Sequence, residues 1–176
     1  MKKILLFLLS VLVASIVYER PSNGQSQSSA ARSQKVATRS DQARTRTKVR
    51  FINPATLAKP PGYTHVVEVT GGRTIYIAGQ IALDSSGNIV GPGDFPAQAE
   101  QVFANLKAAL ESVGASFKDV IKLNYYVTDT SQLPALRAVR DRHVNTAAPP
   151  ASTLVQVVRL AREGLMIEIE AVAVLP

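Results

Sequence analysis

From Phe51 onward the chain alternates between two hydrophobic periods. Thr64 to Val69 and Arg73 to Gly79 carry the period of two expected of half-buried strands, and Thr70-Gly71-Gly72 between them predicts a hairpin. Ile81 to Gly93 has turn chemistry at Asp84-Ser85-Ser86-Gly87 and Gly91-Pro92-Gly93, so it reads as a loop with room for a short strand at Ile89-Val90. Asp94 then suits an N-cap and Pro96 a first turn, while Val102, Phe103, Leu106, Leu110 and Val113 recur at helical spacing until Gly114. Val120 to Thr128 returns to a period of two, with Ile121, Leu123, Tyr125 and Val127 on one side, and predicts a central strand. Ser131 to about Asn145 reads as a second helix with Leu133, Leu136 and Val139 inward and Arg137, Arg140, Asp141 and Arg142 outward. Ala147-Ala148-Pro149-Pro150 breaks it, and Ser152 to Leu160 and Leu165 to Leu175 are the last two strands, with a loop at Ala161 to Gly164 between them.

The resulting order, β-β-α-β-α-β-β, predicts an α+β domain with both helices on one face of a sheet. Its other face would be left apolar and uncovered. Copies of the same chain are the simplest cover for it, so a homo-oligomer is expected.

The residues before Phe51 have a different texture. Lys2 and Lys3 precede an apolar run from Ile4 to Val17, and Ser22 and Gly24 place small residues before Gln25. This reads as a signal peptide over 1–24 rather than a core helix or an anchor, and it predicts export, to a periplasm or out of the cell. Once it is cleaved, no stable membrane insertion is expected; left uncleaved, it would tether the domain. Residues 25–50 are rich in Ser, Gln, Ala, Thr and Arg and too poor in large apolar groups to offset chain entropy, which predicts a disordered basic linker. It has no aromatic residue to stack on a base, so a solvated spacer is favoured over a tail for anionic lipid, polysaccharide or nucleic acid.

Charge follows the same division. The whole chain carries a formal +7, yet Phe51 to Pro176 holds ten Lys and Arg against eleven Asp and Glu. The folded part therefore offers no basic footprint, and no specific nucleic-acid partner is expected. The chain has no cysteine, which excludes disulfides, thiolate metal sites, a cysteine nucleophile and a lipoprotein anchor. His65 and His143 lack a third ligand nearby in sequence, so they read as surface residues and no metal is expected. Gly91-Pro92-Gly93 before Asp94 reads as a turn and cap, since the aspartate would repel a phosphate. Nucleophile elbows, zinc motifs and dinucleotide fingerprints are all missing from the sequence.

Four stretches, in order, carry a resemblance: Pro61-Gly62-Tyr63, Ile77-Ala78-Gly79-Gln80-Ile81, Pro150-Ala151 before a strand ending Val158-Arg159-Leu160, and Ile167-Glu168-Ile169-Glu170-Ala171-Val172-Ala173-Val174. Together they resemble the Rid (YjgF-like, imine deaminase) family over Phe51 to Pro176. The resemblance implies a chorismate-mutase-like α+β fold with two helices on a mixed sheet. It also implies a homotrimer with small-molecule sites in the clefts between subunits, and hydrolysis of imines and enamines to carbonyl compounds and ammonia without a cofactor.

Residue by residue, Glu168 matches the family glutamate that positions water, and Tyr63 the tyrosine lining the site. Ser152 stands where the family has its substrate-binding arginine, and a hydroxyl cannot replace a guanidinium fork. Ala78 and Leu154 stand where serine and cysteine are common. The expected site is therefore Glu168 handling protons, Tyr63, Ala78 and Leu154 shaping an apolar cleft, and Ser152 and Thr153 lending hydroxyls to the vacated arginine position. Such a cleft should prefer substrates lacking a carboxylate. Glu170 reads as structural, Tyr125 as packing, and Arg159 as an ion-pair partner for Glu168 or Glu170. Two other readings stay open: a non-catalytic trimeric module that binds small molecules or protects proteins, and an RNA-acting protein of the ribonuclease or translation-inhibitor kind.

Overall fold

The computed structural model describes residues 46–176; the expected signal peptide and all of the linker up to residue 45 lie outside the described residues. Six strands and two helices follow in order: β1 Lys48–Ile52, β2 Val66–Thr70, β3 Arg73–Ile81, α1 Phe95–Glu111, β4 Val120–Val127, α2 Leu133–Arg140, β5 Ala151–Gln156 and β6 Ile167–Leu175. Strands β3, β6, β4 and β5 form one mixed sheet in that order, antiparallel except for the parallel pair β4 and β5 that brackets α2. Both helices lie on one face, and the α+β class is as expected.

Three features depart from the sequence reading. Thr70-Gly71-Gly72 does not close a hairpin, because β2 pairs with β1 in a separate two-stranded ribbon and β3 pairs with β6. Gly71 and Gly72, at φ +70° and +82°, turn the chain out of one sheet and into the other. The ribbon also begins at Lys48, inside the stretch expected to be linker, with the Arg50 guanidinium 2.5 Å from Glu68 across the pair. Finally, the second helix ends at Arg140 rather than near Asn145, and β5 ends at Gln156 rather than Leu160. The predicted extension at Ile89 is present as a single bridge to Leu83.

Local chemistry accounts for the helices. Asp94 caps α1 by accepting the Ala97 N–H at 3.1 Å, Pro96 occupies the first turn, and Gly114, at φ +75°, closes the far end. The inward stripe Val102, Phe103, Leu106 and Leu110 is fully buried against Leu123, Tyr125 and Val127 of β4 and Ile167, Ile169 and Ala171 of β6. Truncating Leu106 to alanine should cost about 2–5 kcal/mol, read as a lowered urea midpoint. Gln98, fully buried on α1, donates to the Gly164 carbonyl at 2.7 Å and accepts the Met166 N–H at 2.8 Å, which pins the loop that delivers β6.

His143 is a core-edge residue, contrary to expectation. Its ring stacks on Phe103 at 4.8 Å and leans on Phe117. Burial, ahead of the neighbouring Arg142 and Lys107 charges, holds its pKa below the ordinary 6.5, although Glu100 lies 3.8 Å away. The unfolded chain therefore takes up this proton first. The stability His143 contributes is complete above about pH 6.5 and is lost as pH falls from there toward the folded pKa. Urea midpoints taken from about pH 7.5 to 5 should fall more steeply for the protein than for His143→Gln.

Candidate functional site

The sheet has two faces, and the site residues divide between them. On the helix-covered face, Ser152 and Leu154 of β5 stand in register with Leu123 and Tyr125 of β4 and look toward α2. The loop carrying Tyr63 is fastened beside them. Thr64, 2% exposed, donates its N–H to the Pro150 carbonyl and its hydroxyl to the Pro149 carbonyl at 2.6 Å, and it bridges to Ala151 at the head of β5. The Tyr63 ring meets His65 edge-on at 5.2 Å; His65 Nε2 lies 2.8 Å from the Ala58 carbonyl, and its backbone N–H donates to Asn53 Oδ1.

These pieces enclose a cavity of about 280 Å³ lined by Tyr63, Tyr125, Leu136, Leu154, Ser152 and two arginines of α2, Arg137 and Arg140. Its walls are mostly apolar. Burial pushes the Tyr125 phenol well above its ordinary pKa, with Arg140 opposing the shift, so the floor stays neutral. The Arg140 side chain, 16% exposed, rests on the Gly62 backbone and grips Asp141 Oδ1 through Nε at 2.8 Å and Nη2 at 2.6 Å. A β-carbon on Gly62 would stand 2.9 Å from Nη2, and φ at this residue is +106°, so both the backbone and the guanidinium call for glycine in Pro61-Gly62-Tyr63. The Thr153 hydroxyl does not join this cavity. It sits on the opposite face, where it accepts from Lys122 Nζ at 2.9 Å, because neighbouring strand residues point to opposite sides.

The open face carries the carboxylates. Glu168 and Glu170 of β6 stand opposite Tyr126 and Asn124 of β4. Glu170 accepts from Asn124 Nδ2 and from the Tyr126 hydroxyl, each at 3.2 Å, and the bond to Glu170 is the main reason the Tyr126 pKa is raised. That is the structural role expected of it. Among the described residues, no hydrogen bond or ion pair ends on the Glu168 carboxylate. Instead it lies over Gly79, at a break in the β3–β6 register between Ile77 and Gln80, where a β-carbon would overlap the carboxylate and stand 2.7 Å from its Cδ. Ala78 lines a depression of about 390 Å³ on this face with Tyr76, Lys122, Asn124 and Glu170. Arg159 lies past the end of β5, exposed, with no described partner on Glu168 or Glu170.

Within one chain, then, Tyr63, Ser152 and Leu154 come together, Ala78 and Glu168 lie behind the sheet from them, and Thr153 joins the second group. Arg137 and Arg140 are the additions, since helical periodicity assigned them outward. They flank the apolar stripe of Leu133 and Leu136, and long side chains at such a border can fold back over apolar surface.

A family model described as endoribonuclease L-PSP matches residues 55–175. Protein DfrA of Myxococcus xanthus is 39% identical over 112 residues, 64% of this chain and 84% of that protein. The 2-iminobutanoate/2-iminopropanoate deaminase of Dermatophagoides farinae is 32% identical over 127 residues, 72% of this chain and 96% of its own. Among solved structures, YyfB from Yersinia pestis, a protein of unknown function of the conserved Rid protein family, superposes with a TM-score of 0.67 at 42% identity, covering 72% of this chain and 98% of that one. The YjgF gene product of E. coli gives a TM-score of 0.53 at 32% identity, covering 60% and 83%.

Proposed function

The chain belongs to the Rid (YjgF-like) family, and from that membership and the position of Glu168 we propose that it hydrolyses reactive imines and enamines to carbonyl compounds and ammonia. The observation that carries the reading is a carboxylate set over a glycine on an open sheet face, with no described partner of its own. Such a group is free to manage protons for a bound molecule.

The chemistry needs little else. Water adds to the C=N carbon as the Glu168 carboxylate takes its proton and passes it to the nitrogen. Glu168 then takes the hydroxyl proton of the carbinolamine and returns it to the nitrogen as the C–N bond breaks, leaving C=O and releasing ammonia. Tyr63 and the apolar walls of the cleft would exclude competing water. Glu168 and the cleft occupy opposite faces of one sheet, so a site that uses both must form between copies. A homotrimer with its sites at the subunit interfaces meets that requirement, and the exposed Tyr76 and Val155 of the open face supply apolar surface for the assembly. We also propose export, resting on Lys2, Lys3 and the apolar run Ile4 to Val17.

Ammonia release from imines generated in place, by an amino-acid oxidase for carboxylated ones and by an amine oxidase for uncharged ones, tests the activity: acceleration of either supports it, and rates equal to the buffer's on both sink it. Ser152 at the usual arginine position favours one competing reading, a binding module without turnover. Ligand binding with no ammonia release would establish that alternative. RNA as substrate is not proposed, because the folded part carries eleven acidic groups against ten basic ones.

A further inference from the structure

We propose that Arg137 and Arg140 of α2 make the cavity beneath Tyr63 a binding site for a small organic carboxylate, which they hold from the helix side in place of any cation on β5.

The charge balance of the cavity is the starting point. Arg137 and Arg140 line it, and among the described residues the carboxylate beside them is Asp141, which engages Nε and Nη2 of Arg140. Nη1 of Arg140 and the whole Arg137 fork are left without a described carboxylate partner, and the remaining wall is Pro61, Tyr63, Tyr125, Leu133, Leu136 and Leu154. Arg142, the third arginine of this segment, is occupied elsewhere with Glu100. An apolar pocket edged by guanidinium donors without a described carboxylate partner is suited to an anion with an apolar tail, which takes up those donors and fills the space together.

The fold also invests in keeping Arg140 here. Asp141 fixes the fork from one side, and Gly62 at φ +106° lets the guanidinium lie flat on the loop that carries Tyr63. A guanidinium held on two sides loses little further freedom on binding, which favours Arg140 over a mobile surface lysine as a carboxylate anchor. Arg137, one helical turn away on the same face, can close the other side. At about 280 Å³ the cavity admits only a small molecule.

This site deepens the deaminase reading and rests on it for substrate class: the molecule turned over would carry a carboxylate as well as the imine, contrary to what Ser152 alone implies. Ser152 is left as a neutral wall residue that makes room for an anion reached from α2.

Binding separates this proposal from the activity. Calorimetric titration of the oligomer with 2-oxobutanoate and with its uncharged amide should show the carboxylate binding at least about tenfold more tightly. Arg137→Gln, on an exposed side chain, should remove most of that preference while leaving the amide's affinity unchanged. Arg140→Lys, which keeps the charge and loses the fork, should lie between. Glu168→Gln should bind the carboxylate as the parent protein does even where ammonia release is abolished, so a failed turnover assay leaves this result standing. Equal affinity for the two probes, no binding of either, or a carboxylate preference that survives both arginine substitutions would each overturn the proposal.

Discussion

Replacing Glu168 by glutamine is expected to slow imine hydrolysis by about 10²–10⁴-fold, the range a positioned acid–base group contributes. The substitution keeps the volume and the sheet pairing and removes only the capacity to accept and return a proton. Because the Glu168 carboxylate has no described partner, no buried charge is orphaned when it becomes an amide, and the thermal midpoint should stay within a degree or two of the parent's. Gly79→Ala provides the companion test. Its β-carbon would overlap the carboxylate, so Glu168 must swing away while retaining its charge. A positioning role predicts a lowered kcat with KM little changed, since the cavity proposed to hold the substrate lies on the other face of the sheet. If Glu168→Gln retains the parent's rate, the carboxylate is not the proton carrier. If Gly79→Ala has no effect, the position over the glycine is incidental.

The placement of these residues shows what periodicity can and cannot deliver. That Glu168 and Glu170 share a face follows from a period of two, and so does the separation of Thr153 from Ser152 and Leu154 once the strand is located. The helices were legible for similar reasons, through the Asp94 cap, the Gly114 stop and the stripe from Val102 to Leu110. Strand β1 was not, because Lys48 and Arg50 continue the basic composition of the preceding stretch and the ribbon gains its meaning only from Glu68 across the pair. The partners of β2 and β5 were hidden as well. Pairing is a long-range choice, and a Gly-Gly turn suits a hairpin as well as it suits a change of sheet. Arg140 was assigned outward because helical periodicity follows the backbone, whereas its guanidinium turns back under the control of Asp141 and Gly62, one adjacent in sequence and the other far from it.

Two individually inactive variants should restore activity when their subunits are mixed. Leu154→Trp fills the cleft beneath Tyr63, at an overpacking cost of about 1–3 kcal/mol, and leaves the open face untouched. Glu168→Gln removes the proton carrier and leaves the cleft intact. Each homo-oligomer should then be silent, since every site lacks one half. Unfolding and refolding the two together lets subunits reassort, and some interfaces then pair an intact Glu168 with an intact cleft. With random assortment in closed rings, roughly a quarter of the interfaces qualify, so about that fraction of the parent's rate should return. The result turns on the sheet having two faces. A site contained within one chain would always carry one of the two lesions, and mixing would restore nothing. Recovery near a quarter would therefore place catalysis between copies. Continued silence, with mixed oligomers demonstrated by mass, would overturn the placement of the site between copies.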